Sequence, residues 1–214
     1  MVGFKQGEKS HMIYLDNAGT TKTSHEVVNA MMPFFEEEYG NASSLHSMGQ
    51  RAKEHLDSAR KIVAECINAD AGEIYFTSGG SESDNQAIIS ASILGERKGK
   101  KHIISSQFEH HAVLHTLQKL EKQGFSVTYL PVYENGIVKI EDLKNAIRED
   151  TCLVTIMFAN NEIGTIQPIK EIGQICHEKG IIFHTDAVQA VGHVPVDVKE
   201  MNIDMLSISG HKFH

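Results

Sequence analysis

The chain has 214 residues, 41% hydrophobic and 22% charged, which is ordinary for a soluble globular protein of one large domain or two small ones. Its formal net charge is −8, from 28 acidic and 20 basic side chains, which argues against the basic footprint of a nucleic-acid binder. It carries no run of 18 apolar residues and no signal-peptide pattern, so the expectation is a cytoplasmic protein that neither spans nor coats a membrane.

Residues 1–11 are polar and aperiodic and read as a disordered or added leader ahead of a folded unit at 12–214. Ile13-Tyr14-Leu15 opens a short extended segment. Ser24 is placed to cap a helix running to about Tyr39, ended by Gly40-Asn41. Leu45, Met48, Ala52, Leu56, Ala59, Val63 and Cys66 recur at spacings of three and four, one face of a long amphipathic helix. From there strands and helices alternate. Strands are expected at 73–77, 102–106, 126–132, 153–158, 181–184 and 205–209, and helices at 81–95, 110–123, 141–147 and 168–179. Gly124 and Gly180 follow helix ends, and Pro168 falls at a helix start. The strands are short, β-branched and almost continuously apolar, as in a buried parallel sheet. Alternating βα units therefore predict an α/β protein, an open sheet with helices on both faces.

The three cysteines, Cys66, Cys152 and Cys176, are too few and too far apart for a disulfide framework or a CxxC pair. Each sits in an apolar stretch and reads as a buried structural thiol. His110 and His111 lack the i, i+4 spacing that puts two ligands on one helix face, so no metal site is expected.

Four segments carry chemistry. Thr77-Ser78-Gly79-Gly80-Ser81-Glu82-Ser83 joins a predicted strand to a helix, where glycines permit a tight turn and helix amides point at an anion. It has no P-loop lysine, so it suits a phosphate better than a nucleoside triphosphate; a plain helix cap is the alternative. His184-Thr185-Asp186-Ala187-Val188-Gln189 puts Asp186 at the carboxyl end of a predicted strand, where open α/β sheets bind ligands. Glu109-His110-His111 offers a ring that can stack or move protons near neutral pH. Asn160-Asn161-Glu162-Ile163-Gly164-Thr165 offers a side-chain amide, or simply a turn. Finally, Lys212 follows the apolar run 205–208 and the small residues Ser209 and Gly210. A lysine at a strand end is usually a solvated charge, but burial can free its amine as a nucleophile toward a carbonyl. An acid that can hold a pyridinium proton, together with such a lysine, is the pattern of a pyridoxal phosphate site.

These residues resemble the cysteine desulfurases. The resemblance rests on Tyr14 to Thr21, Gly40 to His46, Thr77 to Asn85, Glu109-His110, Asn160 to Pro168, Asp186 to Gln189 and Ser209 to Phe213, in that order, and runs from about Ile13 to the last residue. Asn-Asn-Glu-Ile-Gly-Thr-Ile-Gln-Pro and Ser-Gly-His-Lys-Phe favour the NifS/IscS-like branch of the class-V aminotransferases. The resemblance implies the three-layer α/β/α large domain of fold type I enzymes and pyridoxal 5′-phosphate as cofactor. It implies that Lys212 bonds the cofactor and moves the substrate α-proton, and that Asp186 pairs with the ring nitrogen. Gln189 and Asn161 would lie at the phenolate oxygen, and His110 would stack on the ring and serve in acid/base steps. Gly80, Ser81, Ser209 and His211 would hold the phosphate. The implied reaction takes sulfur from L-cysteine onto a protein thiol, leaving alanine. A sulfur acceptor or iron–sulfur scaffold protein would be the partner, and a homodimer the working form. Gly19 and Ser81 stand where the family usually has alanine and threonine. The family continues past the lysine with a small C-terminal domain, a nucleophilic cysteine and a substrate-binding arginine, and none of the three cysteines here matches that nucleophile. Two alternatives stay open: an inactive fragment of this fold acting as an interaction partner, and a related lyase for selenocysteine or kynurenine.

Overall fold

Apolar strands without polar alternation are stable only in a sheet covered on both faces, and residues 13–214, which this computed structural model describes, are arranged in that way. The helices in chain order are α1 (His25–Met31), α2 (Pro33–Glu36), α3 (Ser47–Cys66), α4 (Gly80–Glu96), α5 (His111–Lys122), α6 (Ile140–Ala146) and α7 (Ile169–Lys179). The strands are β1 (His102–Ser106), β2 (Ser126–Leu130), β3 (Thr151–Thr155), β4 (Ile182–Asp186) and β5 (Met205–Ser207). All pair in parallel in the order β2-β1-β3-β4-β5.

The pleat sends successive side chains to opposite faces. Ile103 and Leu153 pack with Ile88 and Ala91 of α4 and Val113 and Leu117 of α5. Their neighbours Ile104 and Val154, with Phe183, pack on the other side with Leu143 of α6 and Ile172 and Cys176 of α7. Full burial of each large apolar side chain contributes about 1.5–3 kcal/mol, and the two clusters hold the helices on both faces. Helix ends follow local chemistry. His110 caps α5, and its Nδ1 accepts from the Ala112 amide at 3.1 Å. Gly180 closes α7 at φ 62°, a left-handed turn that a side chain would strain. Asp204 ties the long connection 187–204 back to β4, accepting from the Phe183 amide at 2.8 Å and donating its own amide to the Phe183 carbonyl.

Several expectations from the sequence need correction. The predicted helix at 24–39 is two short helices, because Pro33 has no N–H to continue α1. Residues 73–77 form no strand: Ala71–Glu73 is a 3₁₀ turn, and residues 74–77 have no strand partner among the described residues. Tyr75 and Phe76 are exposed there, and the Arg60 guanidinium bonds the Ile74 carbonyl and lies over the Phe76 ring. Helix α3 forms as expected, but its apolar stripe lacks a covering layer among the described residues: only Gly49 and Ala64 are buried. Cys66, expected to be buried, is exposed for the same reason, whereas Cys152 and Cys176 are buried. The leader assigned to residues 1–11 lies outside the described residues. No helix among the described residues is long and apolar enough to cross a membrane.

Candidate active site

The carboxyl ends of parallel strands all point their loops to one edge of the sheet. Here the segments following β1, β3, β4 and β5 meet the N-terminus of α4 and the loop at 16–20 around a cavity of about 550 Å³. All nine residues singled out from the sequence line it: Gly80, Ser81, His110, Asn161, Asp186, Gln189, Ser209, His211 and Lys212.

At one end is an anion cradle. The first amide of α4 to find an intrahelical carbonyl is that of Ser83, bonded to the Gly79 carbonyl, so the amides of the first turn point out of the helix. Gly80 lets the backbone approach its neighbours closely, since a Cβ there would lie 2.9 Å from Val188 Cγ2 and 3.6 Å from Ser209 Cβ. The hydroxyls of Ser81 and Ser209 and the His211 ring line the same space. His211 lies 3.0 Å from the Thr20 hydroxyl through Nδ1, and its carbonyl accepts from the Thr21 amide and hydroxyl.

Lys212 ends the Gly210–Lys212 3₁₀ turn after β5. Its ammonium donates to the Ala18 carbonyl at 2.5 Å and the Gly19 carbonyl at 2.9 Å. Gln189 donates to the same Ala18 carbonyl at 2.9 Å. The loop at 16–20 therefore orients both side chains, although it lies more than 160 residues away in sequence. His110, with Nδ1 accepting, carries its neutral-form proton on Nε2. Asn161 reaches the wall because Asn160 folds the turn behind it: Asn160 Oδ1 accepts from the amides of Glu162 and Ile163, and Nδ2 donates to the Phe108 carbonyl.

The floor is acidic and buried. Asp186 is 6% exposed and accepts from the Val188 amide at 3.0 Å. Burial raises its pKa, while that hydrogen bond and the charges of His110 and Lys212 oppose the rise. Asp84 is 1% exposed; burial, aided by the charge of Asp186, pushes its carboxyl up to about 8. Burial likewise pushes Glu109 to about 8, against the donors Ser106 and Met157 that favour its ionised form. His184, on the face of β4 that carries Asp186, lies between the hydroxyls of Thr155 and Ser207, and burial lowers its pKa to about 3, so it is neutral. Sequence inspection missed Asp84, Glu109's buried role and the cavity-facing Asp16. An acid among the apolar positions of α4 was the available signal for Asp84.

The arrangement joins an amine, a buried acid and a helix N-terminus across one cavity. It can hold a phosphorylated, ring-nitrogen-containing carbonyl compound with its carbonyl at the amine. None of the three cysteines lines the cavity.

The aminotransferase class-V family model matches residues 13–214. A cysteine desulfurase IscS of Clostridium botulinum is 58% identical over 202 residues, covering 94% of this chain and 51% of that protein. The cysteine desulfurase IscS of Methanosarcina thermophila is 59% identical over 201 residues, covering 94% and 50%. Among solved structures, a NifS-like protein superposes with a TM-score of 0.91 at 41% identity, covering 94% of this chain and 56% of that one. SspA in complex with cysteine superposes at 0.88 and 42%, covering 93% and 57%. The chain thus spans about half the length of the curated relatives it matches.

Proposed function

The chain belongs to the aminotransferase class-V family, and from that premise we propose that residues 12–214 form the pyridoxal-phosphate-binding domain of a cysteine desulfurase. One observation carries this reading: Lys212, Asp186 and the N-terminus of α4 converge on a single cavity of about 550 Å³. The residues fit the cofactor. The Gly80 backbone, Ser81, Ser209 and His211 offer donors for a phosphate, Asp186 an acceptor for a protonated ring nitrogen, and Lys212 an amine for the aldehyde. When bound, pyridoxal phosphate supplies an electron sink that makes the α-proton of an amino acid labile.

The remaining work falls to this chain's side chains. The carbonyls of Ala18 and Gly19 hold the Lys212 amine in place, and the amine takes or returns the α-proton. Asp186, fixed by the Val188 amide, keeps a negative charge opposite the ring nitrogen. His110 offers Nε2 for a second proton transfer while Nδ1 stays committed to the helix cap. Gln189 and Asn161 supply amides for the cofactor's phenolate oxygen and the substrate carboxylate.

The names of the relatives support L-cysteine as substrate, with its sulfur passed to a protein thiol and on to a sulfur acceptor or iron–sulfur scaffold. Because no cysteine of this chain lines the cavity, the accepting thiol belongs to another segment or another chain. A homodimer in the cytoplasm completes the reading. The test is a titration of the purified chain with pyridoxal phosphate. A visible absorption band that is present in the wild type and lost in Lys212→Ala supports it, and a protein that stays colourless overturns it. Sulfide release from L-cysteine with dithiothreitol then tests turnover separately from cofactor binding.

A further inference from the structure

Two buried acids, Asp84 and Glu109, have no part in the proposed function, and Asp84 is the one that lines the cavity. Asp84 lies one turn into α4, 1% exposed, and lines the cavity floor with Asp186. Its Oδ1 is fully buried and has no hydrogen-bond partner. The base facing it is His184, whose Nε2 is 3.6 Å away, but that ring is neutral and engaged with Thr155 and Ser207. The floor therefore holds two acids with no buried cation beside them among the described residues. Two carboxyls sharing a dry site do not both ionise. Their surroundings decide which one does. Asp186 has the Val188 amide, and the charge of Lys212 acts on it from across the cavity. Asp84 has the Ser207 hydroxyl, which favours its ionised form, but its Oδ1 has no donor.

We propose that Asp84 is a positioning residue that keeps its proton at neutral pH, so that the cavity floor carries one negative charge and that charge rests on Asp186, facing the ligand. A neutral Asp84 also spares Asp186 the repulsion that would drive a proton onto it and abolish its attraction for a cationic ring nitrogen. The other groups facing the pair are consistent with this. Glu109 approaches from the loop before α5 and is hydrogen-bonded to Ser106 and Met157. β5 presents no charged side chain, and Cys152 of β3 packs at the far end of α4 against Gly95. Glu82, on α4 itself, is exposed and accepts from the Ser78 amide. The proposal rests on the cofactor reading only for the identity of the cation that Asp186 meets.

The test is urea unfolding of the cofactor-free chain between about pH 6 and 9 in wild type, Asp84→Asn and Asp186→Asn. An acid whose folded pKa is raised stabilises the protein while protonated, and that contribution is lost as pH rises through the folded value. The wild type should therefore lose stability across this range, and Asp84→Asn should lose about a hundredfold less in the unfolding equilibrium constant. At pH 6 Asp84→Asn should already be about a hundredfold more stable in the unfolding equilibrium constant, because the unfolded wild type gains the ionisation of Asp84 and the folded one does not. Identical slopes overturn the proposal, as does an Asp84→Asn protein no more stable than wild type anywhere in this range. If Asp84→Asn does not fold, infrared spectra of wild-type protein with isotope-labelled aspartate decide. A protonated aspartate band at neutral pH that disappears on raising the pH supports the proposal, and its absence at neutral pH overturns it. The cofactor reading fails separately: Asp186→Asn binding pyridoxal phosphate as tightly as wild type refutes the ring-nitrogen pairing without altering the cofactor-free pH profile of Asp84.

Discussion

Gly173→Ala tests the packing of α7 against the turn that precedes β5. Gly173 lies on the buried face of α7, and a Cβ built there falls 1.9 Å from the Met201 carbonyl oxygen and 3.1 Å from that of Asn202. Both neighbours are backbone, so no side chain can swing away. The 197–203 turn is held by the Val198 amide on the Ile67 carbonyl, the Met201 amide on Asp197 and the Ile203 amide on Val198. Relief requires α7 or this turn to move by more than about 1 Å, which disturbs Ile172 and Cys176 in the core. Overpacking of this kind costs about 1–3 kcal/mol, and more where the obstacle cannot yield; alanine regains up to about 1 kcal/mol of helix propensity. The expected net loss is about 2 kcal/mol, a fall of about 4–8 °C in Tm for a chain of this size. Gly72→Ala, with nothing within 4 Å of the added methyl, is the control and should stay within about 0.5 kcal/mol. Thermal and urea melts of the three proteins measure this. A Gly173→Ala protein that melts with wild type would refute the packing argument.

Asn160→Ala should loosen the turn that presents Asn161, removing acceptors for two amides; the expected loss is about 1–2 kcal/mol in stability and about tenfold in pyridoxal phosphate affinity by spectroscopic titration. Glu109→Gln should flatten the fall in stability between about pH 6 and 9, because a buried acid raised to about 8 stabilises while protonated and loses that contribution as pH rises through 8; urea melts across that range read it. Thiol labelling of the native chain should modify Cys66 alone, since burial raises the Cys152 thiol and pushes Cys176 up to about 12; mass spectrometry counts the adducts, and Cys66→Ser should abolish native labelling. Leu153→Ala, at a fully buried centre of the sheet, should cost about 2–5 kcal/mol in urea unfolding.

Local chemistry made much of this protein legible in its sequence. Apolar β-branched runs alternating with amphipathic stretches specified the parallel sheet and its helices, because strand and helix periodicities differ and a doubly covered sheet leaves no polar alternation. The glycine- and serine-rich start of α4, Asp186 at a strand end and Lys212 after a short apolar run marked candidates beside particular elements, and the family resemblance added Gln189, Ser209 and His211; all nine line the cavity. Other features depend on partners distant in sequence. The periodicity of α3 cannot say whether a layer covers its stripe, so Cys66 was misplaced. Residues 74–77 have strand composition, but a strand exists only where another pairs with it. The grip of Ala18 and Gly19 on Lys212 joins segments more than 190 residues apart. The protonation of Asp84 follows from burial beside Asp186 without a cation. Sequence thus marked out the groups that gather around Lys212, and the tertiary structure decided how they are held and which buried acids lie beside them.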